Sequence, residues 1–434
     1  MPPSMRRLVP AALGTALLAG LLAAPVSAGS GHTLYVDDDT KVGAGGCNGT
    51  SITRTGIQEA LADAAPGDTV KVCPGTYSGF LKLRKAGVTL TAVDPYTAVV
   101  SAPSSATAGG SPPLTDALIL VKADRVTVSK LKLVAPAPAS DPAGSLCMVP
   151  TMIGVLNDAD AVKILGNRIS AVGAGSLGPC GYRDGIVFAA GSSGRAAGNI
   201  VTNFSGEAIA ARDLGTSLAT VGNTLRFWHK QVPYSPAPTG GSPDFGCFYG
   251  AGIAYAEGAT GSITDNAVQG LATAGSTTPL ICPGIYLNNA GGDIKVLRNV
   301  VSNAYDAINT AGTNDWVIKG NSFLDTRNDA LLVIGSRRGL AESNTIRRTQ
   351  GFGIIVEAPT MDEPLVATGG YGRTNPSGGI PVSANNTFRS NSSKSNPGPD
   401  CVDQTTGTRS HGTANTWIGN HGNGDDDPNG ICPA

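Results

Sequence analysis

Four acidic side chains recur at matching positions along the chain, and carboxylates at a fixed spacing can hold a cation or exchange protons. Asp184 and Glu207 are 23 residues apart, as are Asp306 and Asp329. If one repeat stacks on the next, the aligned carboxylates repel each other, and a cation such as calcium or a shared proton relieves the repulsion. The alternative, which we favour, is that each carboxylate caps backbone N–H groups of its own turn. The four residues are candidates for catalysis as well as for structure.

One segment concentrates aromatic and basic side chains. Residues 227–250 include six aromatic residues, in a chain that is only 5% aromatic. Trp228 and Tyr249 can stack on the C–H faces of sugars, while His229 and Lys230 can pair with a uronate carboxylate. His229 and Lys230 are also candidates for acid–base chemistry. The alternative is that a long loop packs these rings into a small core of its own.

An internal repeat indicates the elements that position these residues. Seven segments share a short apolar strand, a Gly-rich or polar turn, a second strand, an Asn and a third apolar pair; they begin at Ile153, Ile186, Ile209, Ile253, Ile285, Ile308 and Leu331. The recurring asparagines are Asn167, Asn199, Asn223, Asn266, Asn299, Asn321, Asn344 and Asn386. We expect each Asn to tolerate a left-handed bend and to bond along the stack. Three strands per repeat, stacked in parallel, predict an all-β parallel β-helix.

The two ends of the chain differ from the repeats. Residues 1–28 combine Arg6 and Arg7 with an apolar run and small residues before Gly29, a pattern typical of a signal peptide. This pattern predicts a secreted, extracellular protein. Residues 29–384 are expected to form the β-helix, with a capping helix at 55–65 whose apolar face closes the core. Residues 385–434 lose the repeat and are expected to form the C-terminal cap.

The run from Ile57 to Tyr77, which includes Pro74-Gly75-Thr76, precedes the Asn-bearing repeats and carries a family resemblance. The chain resembles the secreted right-handed parallel β-helix repeat proteins of the pectate-lyase-like fold, over nearly its whole mature length. The resemblance implies a right-handed helix with three strands per rung. That superfamily includes pectate and pectin lyases, polygalacturonase-type hydrolases, alginate lyases and epimerases, phage tailspikes and proteins without assigned activity. Function must therefore be argued from the site.

Eight cysteines, an even number, fit an oxidising compartment. Their spacing matches no zinc motif, so no metal site is predicted from them. The order of the rungs instead predicts four disulfides: Cys47 with Cys73, Cys147 with Cys180, Cys247 with Cys282, and Cys401 with Cys432. Closed loops of roughly 30 residues are each worth a few kcal/mol.

Insertions indicate one edge of the rod as the binding face. Extra residues lie between a third strand and the next first strand at 135–150, 171–183, 227–250 and 270–283, and a fifth insertion spans 357–384. The first strands beside them would form the floor of a groove, with outward residues Val187, Ala210, Ala254, Tyr286, Asn309, Leu332 and Ile355. Tyr286, Arg183 and Arg212 join Trp228 and Tyr249 as predicted substrate-binding residues.

Composition and missing motifs leave two classes of function. The net charge of −1 disfavours a nucleic acid partner, and no later apolar run is long enough to span a membrane. A polysaccharide lyase or glycoside hydrolase needs acid–base residues, yet the motifs of polygalacturonases and alginate epimerases are absent. We predict a secreted protein that binds extracellular polysaccharide, with catalysis left open and calcium as the one cofactor that the acids suggest. The alternative is a noncatalytic surface or matrix structural protein.

Overall fold

The computed structural model describes residues 31–38, 54–101, 117–134, 151–170, 184–202, 204, 206–227, 251–270, 283–358, 382–423 and 426–434. Within these ranges the chain forms one α-helix, a short 3-10 turn at Ser410–Gly412 and 35 strands. All these strands lie in three sheets, and neighbouring strands within each sheet run parallel. The three sheets are named below by the position of their strands in the sequence repeat.

The first-strand sheet has eleven strands: β4 (Leu81–Leu83), β7 (Ile119–Val121), β10 (Thr151–Val155), β13 (Asp184–Phe188), β16 (Glu207–Ala211), β19 (Ala251–Ala256), β22 (Ile285–Asn288), β25 (Ile308–Ala311), β28 (Leu331–Ile334), β31 (Ile354–Glu357) and β34 (Cys401–Asp403). The second-strand sheet has thirteen: β1 (Thr33–Val36), β2 (Thr69–Val72), β5 (Thr89–Ala92), β8 (Thr127–Ser129), β11 (Val162–Leu165), β14 (Ser193–Ala197), β17 (Ser217–Val221), β20 (Thr260–Thr264), β23 (Lys295–Leu297), β26 (Val317–Lys319), β29 (Leu340–Glu342), β32 (Thr387–Arg389) and β35 (Thr416–Ile418). The third-strand sheet has eleven: β3 (Gly75–Ser78), β6 (Ala98–Ser101), β9 (Lys132–Val134), β12 (Arg168–Ser170), β15 (Ile200–Thr202), β18 (Thr224–Phe227), β21 (Ala267–Gly270), β24 (Val300–Ser302), β27 (Ser322–Leu324), β30 (Thr345–Arg347) and β33 (Ser392–Lys394).

The chain winds through the three sheets in turn, so each strand pairs with the equivalent strand of the next rung. In the first-strand sheet, Ile153 is in register with Ile186, and the column continues through Ile209, Ile253 and Ile285. Parallel strands joined by a crossover are right-handed in nearly all known cases. The fold is a right-handed parallel β-helix with three strands per rung, which confirms the predicted fold class.

Side chains alternate between the inside and the outside of the helix, and the inward ones form one continuous core. Most are aliphatic, because β-branched and Leu side chains pack well on the pleated inner faces. Tyr255 brings a polar group into this core. It is fully buried, and its hydroxyl contacts the Leu218 and Ser262 carbonyls at 2.6 and 3.1 Å and the Thr220 hydroxyl at 3.1 Å.

A ladder of buried asparagines runs along the turn between the second-strand and third-strand sheets. Asn199, for example, donates from its backbone N and its Nδ2 to Asn223 Oδ1 at 2.9 and 3.0 Å, and the same bonds recur from Asn167 through Asn344. The left-handed residue is the one before each Asn, such as Gly198 at φ 64°, and not the Asn as predicted. The ladder then continues through Asn391 to Asn420.

Asn386 does not belong to this ladder, so its predicted place in the Asn column was wrong. It lies in the preceding turn, before β32, where Gly339 N donates to its Oδ1 and its own amide donates to Asn415 Oδ1. The long insertion before it hid the correct register, since the true partner of Asn344 lies 47 residues away at Asn391.

The N-terminal cap is the helix α1 (Ile57–Asp63), shorter than the predicted span 55–65. Ile57, Ala60 and Leu61 are buried, and the helix packs against β1, β2 and β4. The apolar face of α1 thus covers the N-terminal end of the core, as predicted. No helix in the described ranges is long and apolar enough to cross a membrane.

At the other end, the rungs continue beyond residue 384. Strands β32 to β35 extend all three sheets, so the segment predicted to lack the repeat still contributes strands. Phe388 and Trp417 stack inside the last rungs, with ring centroids 4.3 Å apart. Cys401 and Cys432 form a disulfide with Cα atoms 5.9 Å apart, which confirms that predicted pair. Cys73 is also disulfide-bonded, but Cys47, Cys147, Cys180, Cys247 and Cys282 lie outside the described residues, so the other three pairs stay predictions.

Candidate functional site

The four predicted carboxylates lie along one edge of the first-strand sheet. Asp184 and Glu207 are the first residues of β13 and β16, while Asp306 and Asp329 lie two residues before β25 and β28. All four are buried, with exposed fractions of 4 to 5%. The repeat therefore stacks them as the spacing of 23 residues predicted.

Three of the four carboxylates bind the backbone of the following rung. Asp184 Oδ1 accepts a hydrogen bond from Glu207 N at 2.8 Å, and Asp306 Oδ1 accepts one from Asp329 N at 3.1 Å. Asp329 Oδ1 likewise accepts one from Phe352 N at 2.8 Å. These three carboxylates thus cap N–H groups of the next rung and not, as predicted, those of their own turn, because stacking places the next N–H group beside the side chain.

Arg212 supplies the positive charge that the first pair of acids requires. Its Nη2 lies 3.1 Å from Asp184 Oδ2, and its Nε donates to Glu207 Oε2 at 3.0 Å. Arg212 was predicted as a substrate-binding residue, and the structure places it in this three-residue ion cluster, largely buried. Its direct contact with a substrate stays a prediction.

Glu207 holds its proton to unusually high pH. Burial raises its pKa to about 7, Arg212 opposes this rise, and the negative charges of Asp184 and Glu257 add to it. Tyr286 lies two rungs further along on the outer face, and burial together with the charge of Glu207 raises the pKa of its phenol to about 12. The two side chains therefore share one electrostatic environment.

The second pair of acids is bridged by an amide. Asn328 Nδ2 donates to Asp306 Oδ1 at 3.0 Å and to Asp329 Oδ2 at 3.1 Å. Burial and the charge of Asp329 raise the pKa of Asp306 to about 7, and burial raises that of Asp329 to about 6. Nearby, burial and both carboxylates raise the pKa of Tyr305.

Neither pair of acids fits calcium. Calcium takes six to eight oxygen ligands, whereas Arg212 lies between the first pair and an N–H group of Asn328 lies between the second. Among the described residues, no group of three or more His, Cys, Asp or Glu side chains is arranged to hold a metal ion.

The predicted groove floor is only partly exposed. Val187, Ala210 and Ala254 are at most 1% exposed, and the first two pack in an outer apolar cluster with Leu120 and Leu156. Leu332 and Ile355 are also buried, in a second outer cluster with Ile334, Val402 and the half-buried Phe352. Between these two clusters, Tyr286 and Asn309 are half-buried. The accessible part of the floor is therefore polar and aromatic, and the other predicted floor residues are covered by their neighbours.

Other predicted site residues lie outside the described ranges: Arg183, Trp228, His229, Lys230 and Tyr249. Asn328 was not predicted. It directly precedes Asp329, one of the four predicted carboxylates, so its position in the sequence could have marked it as a candidate. Its contact with both acids depends on the direction of its side chain, which spacing alone does not reveal. Asn309 was predicted only as a floor residue, and it lowers the pKa of the neighbouring Asp306, against the larger rise caused by burial.

No family model and no curated protein matches this chain. Among solved structures, it is similar to an alginate lyase from Paenibacillus sp. str. FPU-7, at 18% identity and TM-score 0.45 over 66% of this chain and 91% of that one. It is also similar to the catalytic domain of a GH87 alpha-1,3-glucanase in complex with nigerose, at 13% identity and TM-score 0.48 over 85% and 67% of the chains. A third is a double mutant of the periplasmic alginate epimerase AlgG, at 9% identity and TM-score 0.44 over 81% and 83%.

Likeness at this level says nothing about which residues react or what they bind. The architecture is established by the chain's own three parallel sheets, in which each strand pairs with its equivalent in the next rung. On that evidence the chain folds as a right-handed parallel β-helix.

Proposed function

We propose that this protein binds an extracellular polysaccharide on the outer face of its first-strand sheet. The observation that carries this proposal is Tyr286, a half-buried aromatic side chain on that face within electrostatic reach of Glu207. Aromatic rings offer an apolar face on which sugar rings stack, while neighbouring polar groups orient the hydroxyls. A folded surface that combines the two suits a polysaccharide better than an apolar or strongly charged ligand.

The connections of the chain support the same face. The segments 135–150, 171–183, 228–250 and 271–282 each lead from the third-strand sheet into the first-strand sheet, at the edge that carries the acids. Binding residues are commonly found on such connections when a rigid scaffold positions them. Arg183, Trp228, His229, Lys230 and Tyr249 belong to these segments, and we propose that they contribute to the same site.

Cleavage of the bound chain is a narrower proposal, with Glu207 as the proton donor. A carboxyl group with a pKa near 7 is partly protonated at neutral pH, as a general acid requires. Asp184 and Glu207 both contact Arg212 Nη2, so their carboxylates lie closer than the roughly 6.5–9.5 Å typical of inverting glycosidases. The pair is therefore too close together for an inverting hydrolase.

A noncatalytic structural role is the second candidate, and a specific observation favours it. In Asp184, Asp306 and Asp329, one carboxylate oxygen accepts a hydrogen bond from a backbone N–H group of the next rung. Such bonds stabilise the stack whether or not a ligand binds. A structural protein of the extracellular matrix would need these acids only for the stability of its rungs.

A product and retention assay with a matched pair of variants separates these functions. The purified protein is incubated with pectin, alginate, xylan, chitin derivatives and neutral glucans, and reducing ends and unsaturated products are measured. Glu207→Gln keeps a side chain that can bond Arg212, so we expect it to retain polysaccharide binding while losing product release at least 100-fold. Glu342→Gln, on the second-strand sheet, is the control. Binding is measured as retardation of the protein in native gels that contain each polysaccharide. If the wild-type protein is retarded but releases no products, the hydrolase proposal is wrong. If no polysaccharide retards it, the structural role is the remaining candidate.

A further inference from the structure

A row of basic side chains follows the turn between the second-strand and third-strand sheets, the one turn of each rung that does not adjoin the first-strand sheet. We call this surface the basic ridge; its residues are Lys130, Lys132, Lys163, Arg168, Arg195 and Arg226. Lys132 is half-buried and the other five are exposed. No acidic residue occurs in the segments that form these four rungs on both sheets: 127–134, 162–170, 193–202 and 217–227. The ridge is therefore a surface of positive charge.

None of the six cations forms a hydrogen bond or an ion pair with another described residue. Lys132 is in register with Arg168, and Lys163 is in register with Arg195. Each of these pairs therefore places two like charges on adjacent strands, about 4.8 Å apart. Like charges directly opposite each other destabilise a sheet. An anion that contacts both members of a pair would replace this repulsion by attraction.

Later rungs of the same two sheets pair their charges instead. Glu342 is in register between Lys319 and Arg389 and contacts them at 2.8 and 2.7 Å. In the same turn as the ridge, beyond its last rung, Arg298 Nε lies 2.8 Å from Asp265 Oδ1. The fold therefore permits ion pairs between rungs on these faces, so the geometry of the stack does not explain why the ridge lacks acids.

The middle of the ridge is bare backbone that follows an aromatic ring. Gly166 and Gly198 occupy the turn on successive rungs, and a Cβ atom added to either would meet nothing within 4 Å. The two preceding turns carry Lys130 and the half-buried Tyr96, whose backbone N donates to the Lys130 carbonyl at 2.7 Å. A linear chain can therefore lie along the turn, with a ring stacked on Tyr96 and cations on both sides.

Shape and composition decide which polyanion suits the ridge. A flat membrane would meet only one of the two sheets beside this turn, whereas the cations lie on both: Lys163 and Arg195 on one, Lys132 and Arg168 on the other. Nucleic acid selects strongly basic domains, and this chain has a net charge of −1. A phosphate polymer without rings would leave Tyr96 unused.

We propose that the basic ridge is a second glycan site, which holds an acidic polysaccharide with one carboxylate per sugar ring. A pyranose is about as long as one rung is high, so successive carboxylates of an extended chain can meet cations on successive rungs. The site does not depend on the one proposed on the first-strand sheet. With both sites occupied, the protein joins two polysaccharide chains across the rod.

The test uses matched polymers and matched variants. Affinity at low ionic strength is measured for polygalacturonate and for its carboxyl-reduced, neutral form. Lys163→Gln with Arg168→Gln removes one cation from each side of the turn and should weaken polygalacturonate binding at least about ten-fold. Arg347→Gln with Lys394→Gln is the control: it removes two exposed, in-register cations six strands further along the third-strand sheet and should bind like the wild type. The reduced polymer should bind both double variants and the wild type equally.

Two further measurements identify the ligand and separate this site from the first-strand site. Tyr96→Asn, which keeps a residue that tolerates the left-handed backbone at φ 66°, should weaken binding of polygalacturonate but not of polyphosphate. The effect of Lys163→Gln with Arg168→Gln should persist in a Tyr286→Ala background, so the ridge is tested whether or not the proposed function holds. No wild-type binding of polygalacturonate, equal losses in the two double variants, or tighter binding of polyphosphate than of polygalacturonate would overturn the proposal.

Discussion

Asn299 Nδ2 donates to Asn321 Oδ1 at 3.0 Å, and this bond joins two consecutive rungs inside the rod. Asn299 N donates to the same oxygen at 2.8 Å, and Asn299 Nδ2 also reaches the Ile263 carbonyl at 2.9 Å. Both side chains are at most 1% exposed, so neither can exchange these bonds for water. The buried amides of the ladder therefore stabilise the stack of rungs only as long as all of their hydrogen bonds are made.

Substitution of Asn299 by Ala should therefore destabilise the protein. The change removes the acceptor of Asn266 N, one of the acceptors of Asn266 Nδ2 and a donor to the Ile263 carbonyl, at a cost of about 1 to 3 kcal/mol. Urea unfolding followed by circular dichroism measures the change, and Ser322→Ala, on the outside of the next rung, is the control. An unfolding free energy equal to that of the wild type would show that the ladder adds no stability.

Gly339 lies directly against the indole ring of Trp316 in the core, where there is no room for a larger residue. A Cβ atom at Gly339 would lie 1.9 Å from Trp316 Cε2, so Gly339→Ala forces the indole or the backbone to move. Overpacking of this kind costs about 1 to 3 kcal/mol. The double variant Gly339→Ala with Trp316→Leu should lose less stability than the sum of the two single variants. Additive losses in thermal unfolding would contradict direct packing between the two residues.

The acids of the first-strand sheet should make stability depend on pH. The folded protein raises the pKa of Asp306 from 3.8 to about 7, so folding favours its protonated form. Its stabilising contribution is present below about pH 4 and is lost as the pH rises through about 7. Asp306→Asn removes this ionisation and should make the protein more stable than the wild type at pH 8, by up to about 4 kcal/mol. Equal urea midpoints for the two proteins at pH 8 would rule out the raised pKa.

The disulfides can be tested by peptide mapping without reduction. The peptide pair joined by Cys401 and Cys432 should be recovered, since the structure contains that bond. We also expect Cys47 with Cys73, Cys147 with Cys180, and Cys247 with Cys282, because each pair would join neighbouring rungs or the N-terminal cap. Recovery of a long-range pair such as Cys147 with Cys401 would contradict the assigned order of rungs.

The fold could be predicted from the sequence because its signal is periodic. The apolar residue that opens each repeat, such as Ile186 or Ile209, recurs in register with its equivalent in the next rung. Stacking turns that sequence period into spatial neighbours, so the acidic column and most of the Asn ladder followed from spacing. Asn386 was assigned to the ladder wrongly because the insertion before it interrupts the repeat, so the spacing no longer shows which Asn follows Asn344.

The candidate site could be predicted only in part, because its contacts depend on side-chain direction. Arg212 follows β16 yet reaches back to Glu207 at the start of that strand and to Asp184 in the previous rung. The spacing of these residues does not reveal such a contact. Burial of the floor at Ala210 and Ala254 was likewise missed, since alternation shows which way a side chain points but not what covers it.

Retention by polysaccharide in native gels, with one tyrosine removed from each of two faces, tests most directly whether the first-strand sheet binds glycan. Tyr286→Ala removes the aromatic ring of the proposed site, while Tyr35→Ala removes a ring near Lys71 on the second-strand sheet. We predict that Tyr286→Ala weakens retention by about 1 to 3 kcal/mol while Tyr35→Ala binds like the wild type. Equal retention of the wild type and Tyr286→Ala, or loss of retention only in Tyr35→Ala, would contradict binding on this face.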